Sequence, residues 1–117
     1  AECVLLSTCN RTELYVAGGD HTGDELIALL RRVHGDDGAA ADDAHFEERR
    51  CGAAVAHLFR VAAGLESMVL GESDIVRQVR DAYAASAAAQ ASGPRLNALF
   101  HDALRVGKRA RTEMDLT

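Results

Sequence analysis

Cys9 is the residue best suited to covalent chemistry in this chain, because it follows a short apolar run and is flanked by polar residues. The run from Cys3 to Leu6 has the pattern of a buried strand, and the chain becomes polar from Ser7 onward. A cysteine at this point leaves the core and is within reach of a substrate. Arg11 places a positive charge two residues away, which favours the thiolate over the thiol. The pattern predicts a nucleophilic cysteine.

The remaining cysteines and the histidines indicate no metal or disulfide chemistry. Cys3 lies inside the apolar run, and we interpret it and Cys51 as structural. Three cysteines without zinc-type spacing fit a reducing cytosol better than a disulfide scaffold. The five histidines form no His-x-x-x-His pattern, so no metal site is predicted.

Length and charge limit the class of protein. A chain of 117 residues is one domain, and it contains no signal peptide and no apolar stretch of membrane-spanning length. We expect a fragment of a cytoplasmic protein that lacks an N-terminal strand and helix. A net charge of -5 argues against general binding of polyanions. A local basic face is conceivable near the C-terminus, although a solvated helix surface explains the same residues: Arg105, Lys108, Arg109 and Arg111.

The first half of the chain is predicted to supply a small sheet and one helix. Glu13 to Ala17 forms a return strand that ends at Gly18-Gly19. Asp24 is the predicted cap of the helix, and a third short strand is expected around His45 to Cys51. The helix has apolar residues at helical spacing, namely Leu26, Ile27, Leu30 and Val33.

The second half is predicted to be helical, which makes the fold class α+β, with a small sheet packed against helices. A helix from Ala53 to Leu65 is expected to end near Gly64, and Pro94 begins the last helix. The apolar stripe of the helix from Ala53 to Leu65 is Val55, Leu58, Phe59, Ala62 and Leu65, and His57 lies outside it. A helix from Ser73 has the stripe Ile75, Val76, Val79, Ala82 and Tyr83, and the last helix has Leu96, Leu99, Phe100, Ala103, Gly107 and Ala110.

Three blocks of sequence, in order along the chain, resemble one known family. They are STCNRTELY, HLFRVAAGLESMVLGESDI and RVGKRARTE. Together they are similar to the N-terminal catalytic domain of glutamyl-tRNA reductases. The resemblance implies that Cys9 forms a thioester with the glutamyl group, and that His57 assists as a general acid-base or orienting group.

The resemblance also implies a substrate-binding set. The matching positions are Thr8, Cys9, Asn10, Arg11, Ser67, Glu72, Ser73, Asp74 and Gln78. Arg11 is chemically suited to a bidentate contact with the γ-carboxylate of the substrate. The chain departs from the family pattern Gly-Glu-Pro-Gln-Ile at Ser73 and Asp74, and both residues are equally suited to capping a helix.

The function implied is an NADPH-dependent reduction of glutamyl-tRNA to glutamate-1-semialdehyde, the first step of 5-aminolevulinate and tetrapyrrole biosynthesis. No Gly-x-Gly-x-x-Gly fingerprint occurs, so NADPH is expected on a domain outside this chain. The partners implied are glutamyl-tRNA(Glu), a second copy bound through a C-terminal domain, and the downstream aminomutase. Two alternatives stay open: a cysteine esterase or thioesterase, and a non-catalytic RNA- or protein-binding module.

Overall fold

The computed structural model describes residues 1–8, 11–33, 46–65 and 74–113, apart from the side chains of Val33 and Arg111. These residues form a two-stranded sheet and four helices, which confirms the α+β prediction. In chain order the elements are β1 (Glu2–Ser7), β2 (Thr12–Ala17), α1 (Gly23–Val33), α2 (Gly52–Ala62), α3 (Ile75–Ala88) and α4 (Pro94–Glu113).

β1 and β2 are antiparallel, and their register decides which side chains meet the helices. Leu6 pairs with Glu13 and Val4 pairs with Tyr15. Side chains alternate between the two faces of a strand, so these four residues share one face. Val4 and Leu6 are completely buried on it. The same face therefore carries an apolar centre and a carboxylate close to the hairpin end.

The outer edge of β1 is attached to the end of α3. The Cys3 amide donates to the carbonyl of Ala91 at 2.9 Å, and the Ser86 hydroxyl donates to the carbonyl of Cys3 at 2.6 Å. These bonds satisfy edge groups that would otherwise be open to pairing.

α1 begins with a capping box, and the predicted Asp24 cap is wrong. The Thr22 hydroxyl accepts a hydrogen bond from the Glu25 amide at 3.2 Å, while the Glu25 carboxylate accepts one from the Thr22 amide at 2.9 Å. Asp24 lies in the first turn instead, where its negative charge interacts favourably with the helix dipole. Leu26 and Ile27 are half-buried on the face that lines a cleft.

The strand expected around residues 45–51 is not formed by its described part. Residues 46–50 have no regular secondary structure, and their charges are paired locally, Arg49 with Glu47 and Arg50 with Glu48. Cys51 then has a positive φ of 53° immediately before α2. His45 lies outside the described residues.

α2 ends where the sequence predicts, but its buried face differs from the predicted stripe. Gly64 has a φ of 82°, and its amide donates to the carbonyl of Val61 at 3.0 Å. Helices commonly end in this way, with a glycine in the left-handed backbone conformation. Val55 and Leu65 are exposed, contrary to prediction. The side chains that are buried instead include His57, whose predicted place was beside the stripe.

α3 and α4 present the predicted apolar stripes to the core. The residues predicted for these stripes are all buried or half-buried in the structure. α3 starts at Ile75, two residues later than the predicted Ser73, which is within the usual spread of helix boundaries. α4 starts at Pro94, as predicted.

The N-terminus of α4 is capped by a carboxylate from the far end of the chain. Glu2 accepts hydrogen bonds from the amides of Gly93 at 2.9 Å and Leu96 at 2.8 Å, and a longer one from Arg95 at 3.3 Å. The cap satisfies amides that a helix start leaves open, and places the negative charge where the helix dipole favours it.

Aromatic rings join the sheet to α3 and α4. Phe100 is fully buried, and its ring meets the edge of Tyr15 at 5.4 Å and stacks on Tyr83 at 5.8 Å between centroids. The Tyr83 hydroxyl donates to Asn97 at 2.7 Å, which gives this half-buried ring a polar partner.

Among the described residues no helix is both long and apolar enough to cross a membrane.

Candidate functional site

The end of the β1–β2 hairpin is closed by hydrogen bonds between Thr8 and Arg11. The Thr8 amide donates to the carbonyl of Arg11 at 2.8 Å, and the Arg11 amide donates to the Thr8 hydroxyl at 3.2 Å. Cys9 and Asn10 are the two residues between them and lie outside the described residues. The structure thus brings Thr8 and Arg11, the described residues on either side of the predicted nucleophile, within hydrogen-bond distance of each other.

Glu13 is the centre of the polar cluster at this end. Its Oε2 accepts from His57 Nε2 at 2.7 Å and from Arg11 Nη1 at 3.2 Å, and its Oε1 accepts from the Tyr15 hydroxyl at 2.5 Å. Only 11% of the His57 side chain, 13% of Arg11 and 19% of Glu13 are exposed. The carboxylate is therefore shielded from water and bound by three donors from two elements.

The surroundings of Glu13 keep it ionised. Burial by itself raises the pKa of this carboxyl, but the hydrogen bonds from Tyr15 and His57 and the charges of His57 and Arg11 outweigh it, so the pKa is lowered. Burial and the adjacent Glu13 charge raise the pKa of Tyr15 far above its ordinary value, so this phenol stays a donor. The cluster is built for a fixed negative charge.

His57 reaches this cluster from α2, although 44 residues separate it from Glu13. It is 9% exposed, and its second ring nitrogen, Nδ1, is buried without a hydrogen-bond partner among the described residues. A buried polar atom without a partner is uncommon and is typical of functional sites. The structure thus joins two predicted site residues, His57 and Arg11, through a third that was not predicted.

Sequence reasoning missed Glu13 and Tyr15, and a signal for them existed. Glu13 and Tyr15 alternate along β2, so they lie on the same face of it, and Arg11 is two residues before Glu13. An acidic residue between a cation and a phenol on the core-facing side of a strand needs partners, because an isolated buried carboxylate is costly.

The second predicted block is only partly described. Ser67, Glu72 and Ser73 lie outside the described residues. Asp74 precedes α3 but makes no capping hydrogen bond through its side chain; it pairs with Arg77 at 3.0 Å. Asp74 is thus the N-cap residue of α3 by position, but its side chain does not cap the helix. Gln78, one turn later, is half-buried and its Oε1 has no hydrogen-bond partner among the described residues.

A cleft of about 420 Å³ lies beside the cluster. Its walls are β2, α1 and residues 46–51, and both Glu13 and His57 line it. Arg31 from the end of α1 lies over the ring of Phe46 at 5.4 Å, which joins two of these walls. The cleft offers volume for a small molecule or an extended chain segment next to the buried carboxylate.

Arg105, Lys108 and Arg109 are exposed, as predicted for one side of α4, but two of them are neutralised within the helix. Arg105 pairs with Asp102 at 3.5 Å and Arg109 pairs with Glu113 at 2.8 Å. Such exposed pairs contribute little stability. They favour the solvated-surface interpretation over a dedicated basic face.

Cys3 is half-buried and Cys51 is exposed, and both are free thiols. In the described part of the chain, no group of three or more His, Cys, Asp or Glu side chains is arranged to hold a metal ion.

Comparison with known proteins decides the family. The family profile described as glutamyl-tRNA(Glu) reductase, N-terminal domain, matches residues 1–114. The chain belongs to this family. This confirms the resemblance seen in the three sequence blocks.

Relatives in the family share sequence along nearly the whole chain. The glutamyl-tRNA reductase of Rubrobacter xylanophilus is 51% identical over 114 residues, which are 96% of this chain and 26% of that protein. That of Marinobacter nauticus is 44% identical over 113 residues, again 26% of its length. The solved glutamyl-tRNA reductase from Methanopyrus kandleri superposes with a TM-score of 0.80 at 40% identity, covering 96% of this chain and 25% of that one. The chain spans about a quarter of the length of these glutamyl-tRNA reductases.

Proposed function

We propose that this chain is the catalytic, substrate-recognising domain of an NADPH-dependent glutamyl-tRNA reductase. The observation that carries the proposal is the hydrogen bond of 2.7 Å between His57 and Glu13, because it brings a histidine to the hairpin that contains Cys9. Membership in the reductase family supports the choice of substrate. Function as a non-catalytic binding module would leave this buried acid-base cluster unexplained.

In the proposed reaction the Cys9 thiolate attacks the carbonyl carbon of the glutamyl ester. A carbon-sulfur bond forms, the bond between that carbon and the ribose oxygen breaks, and the ribose oxygen takes up a proton. The product on the protein is a thioester, which is more reactive toward a hydride than an ester or carboxylate. His57 is the proposed proton-transfer group, because histidine is the side chain that most often serves as a general acid or base.

Arg11 is the proposed recognition group for the γ-carboxylate of the glutamyl moiety. A guanidinium presents five donors in a planar fork, and the contact with Glu13 involves Nη1. Thr8 and Asn10 flank the nucleophile and are proposed contacts to the same moiety, together with Ser67, Glu72, Ser73, Asp74 and Gln78.

The hydride donor is proposed to bind elsewhere in the protein. The chain contains no Gly-x-Gly-x-x-Gly motif, and the described residues form a two-stranded antiparallel sheet rather than the parallel sheet of dinucleotide-binding folds. We assign NADPH to a part of the protein outside these 117 residues. The proposed partners are glutamyl-tRNA(Glu), a second copy of the protein and the aminomutase that would receive the reactive aldehyde, and the proposed location is the cytoplasm.

The test is to trap the acyl group. The full-length protein is incubated with tRNA that carries labelled glutamate, without NADPH, then quenched in acid and mapped by mass spectrometry. We expect the label on Cys9 and none in Cys9→Ser, while Cys3→Ala and Cys51→Ala serve as matched controls that retain it. Label on Cys3 or Cys51, or on no cysteine, contradicts the mechanism. Label on Cys9 that is released as free glutamate at a catalytic rate indicates a thioesterase instead.

A further inference from the structure

We infer that His57 transfers protons through Nδ1, and that Glu13 is the positioning residue that makes Nδ1 the active nitrogen by holding Nε2–H. The inference deepens the proposed function and rests on it for the reacting groups. The hydrogen-bond geometry itself stands without that function.

The protonation of the ring follows from the chemistry of its partner. An ionised carboxylate only accepts hydrogen bonds, so at 2.7 Å from Glu13 Oε2 the Nε2 atom of His57 must carry hydrogen. A neutral imidazole has one hydrogen, which leaves the lone pair on Nδ1. That atom is buried and has no partner among the described residues. The atom available to accept a proton is therefore Nδ1.

Glu13 is itself held from two further directions, so it can fix the ring. Tyr15 donates to Oε1 and Arg11 donates to Oε2. The ring of Tyr15 is anchored against Phe100, which is completely buried. Rotation of the carboxylate would break the bond to Tyr15, so the position of His57 is tied to the core of the domain.

The proposed proton path is balanced. Nδ1 takes the proton of the Cys9 thiol as the sulfur attacks, so an S–H bond breaks and an N–H bond forms. The resulting imidazolium is stabilised by the Glu13 charge, and Glu13 stays ionised throughout. When the ester bond breaks, Nδ1–H gives the proton to the ribose oxygen, and the neutral ring returns to its starting tautomer.

The first experiment observes the tautomer without any substrate. Full-length protein with ¹⁵N-labelled histidine is studied by NMR, and His57 is assigned by comparison with His57→Gln. We expect hydrogen on Nε2 and a bare Nδ1 in the neutral ring. A neutral ring with its hydrogen on Nδ1 would overturn the inference, whatever reaction the protein catalyses.

The second experiment measures the rate of Cys9 acylation by glutamyl-tRNA in a single turnover. Glu13→Leu removes the acceptor, and we expect a mixture of tautomers and a loss of about 10²- to 10⁴-fold in rate, with substrate binding little changed. In Glu13→Gln the amide oxygen still faces Arg11 and His57, so the tautomer should persist while the rate falls by less. Glu113→Gln, the same change in an exposed residue, should leave both unchanged.

The outcomes separate this inference from the proposed function. If wild-type protein is never acylated on Cys9, the proposed function fails, although the tautomer can still be as inferred. If Cys9 is acylated and Glu13→Leu reacts at the wild-type rate, the positioning role of Glu13 is refuted. Should Glu13→Leu fail to fold, an unchanged rate in Glu13→Gln would equally show that the Glu13 charge does not assist the proton transfer.

Discussion

Gly107 of α4 lies against the backbone of α2, and replacing it with alanine should destabilise the domain. A Cβ atom at Gly107 would lie 2.7 Å from the carbonyl oxygen and 2.8 Å from the carbonyl carbon of Ala62, where ordinary contacts start at 3.4 Å. Since the obstacle is backbone, no side chain can rotate away. The two helices would have to separate by about 0.7 Å.

Two opposing effects determine the size of the change. Alanine is favoured over glycine inside a helix by about 1 kcal/mol. Overpacking a core costs about 1–3 kcal/mol, and a rigid backbone contact belongs at the upper end of that range. Separation of the helices also weakens the contacts of Phe100, which is completely buried. We expect Gly107→Ala to lower the free energy of unfolding by about 2 kcal/mol.

Urea unfolding of the 117-residue chain measures this difference, and melting should shift by about 4 °C per kcal/mol for a domain of this size. Gly52→Ala is the matched control, because nothing lies within 4 Å of its Cβ position. It should be neutral or stabilise by up to about 1 kcal/mol. If Gly107→Ala is as stable as Gly52→Ala, the close packing of α2 and α4 is wrong.

Three further predictions concern the cap, substrate recognition and the hydride donor. Glu2→Gln should reduce stability at about pH 7, because the amides of Leu96, Arg95 and Gly93 hold the pKa of Glu2 low against a smaller opposing effect of desolvation. The wild-type contribution is lost as the pH falls through that lowered pKa, so the two unfolding curves should converge at acidic pH below it. In the full-length protein Arg11→Lys should lower kcat/KM for glutamyl-tRNA by about 1.5–3 kcal/mol of transition-state stabilisation, because an ammonium cannot reproduce the planar fork; wild-type kinetics would remove Arg11 from the site. The 117-residue chain should bind NADPH weakly or not at all, and micromolar affinity in calorimetry would show that the cofactor site was misplaced.

The helical half of the fold was predictable because its signals are local. Pro94 restricts the backbone and Gly64 permits a positive φ at their own positions, and the α3 and α4 stripes are buried as their spacing indicates. The stripe of α2 was misplaced by its two end residues. Spacing defines an apolar side of a helix, but only packing decides that Val55 and Leu65 remain exposed.

The structure of the first half of the chain depends on tertiary contacts that no local sequence pattern reveals. Residues 46–50 have a strand-like sequence, but a strand needs another strand to pair with, and none is present beside them in the described part of the chain. Glu13 was overlooked for a similar reason. Its importance follows from His57, which is distant in sequence and meets it only because α2 packs on the hairpin.

The carboxylate of Glu2 at the start of α4 has a consequence for the order of events during synthesis. The residues it binds are 91 to 94 positions later in the chain. Cys3 of β1 is also bonded to Ser86, 83 positions later, and to Ala91. β1 is thus translated before the helical residues to which it is bonded. At about 5–20 residues per second, the strand waits roughly 5–20 seconds for its helical partners to leave the ribosome. Contacts of such high sequence separation also slow folding once the chain is free. The nascent hairpin with Cys9 at its end therefore spends those seconds without the helices that will later enclose it.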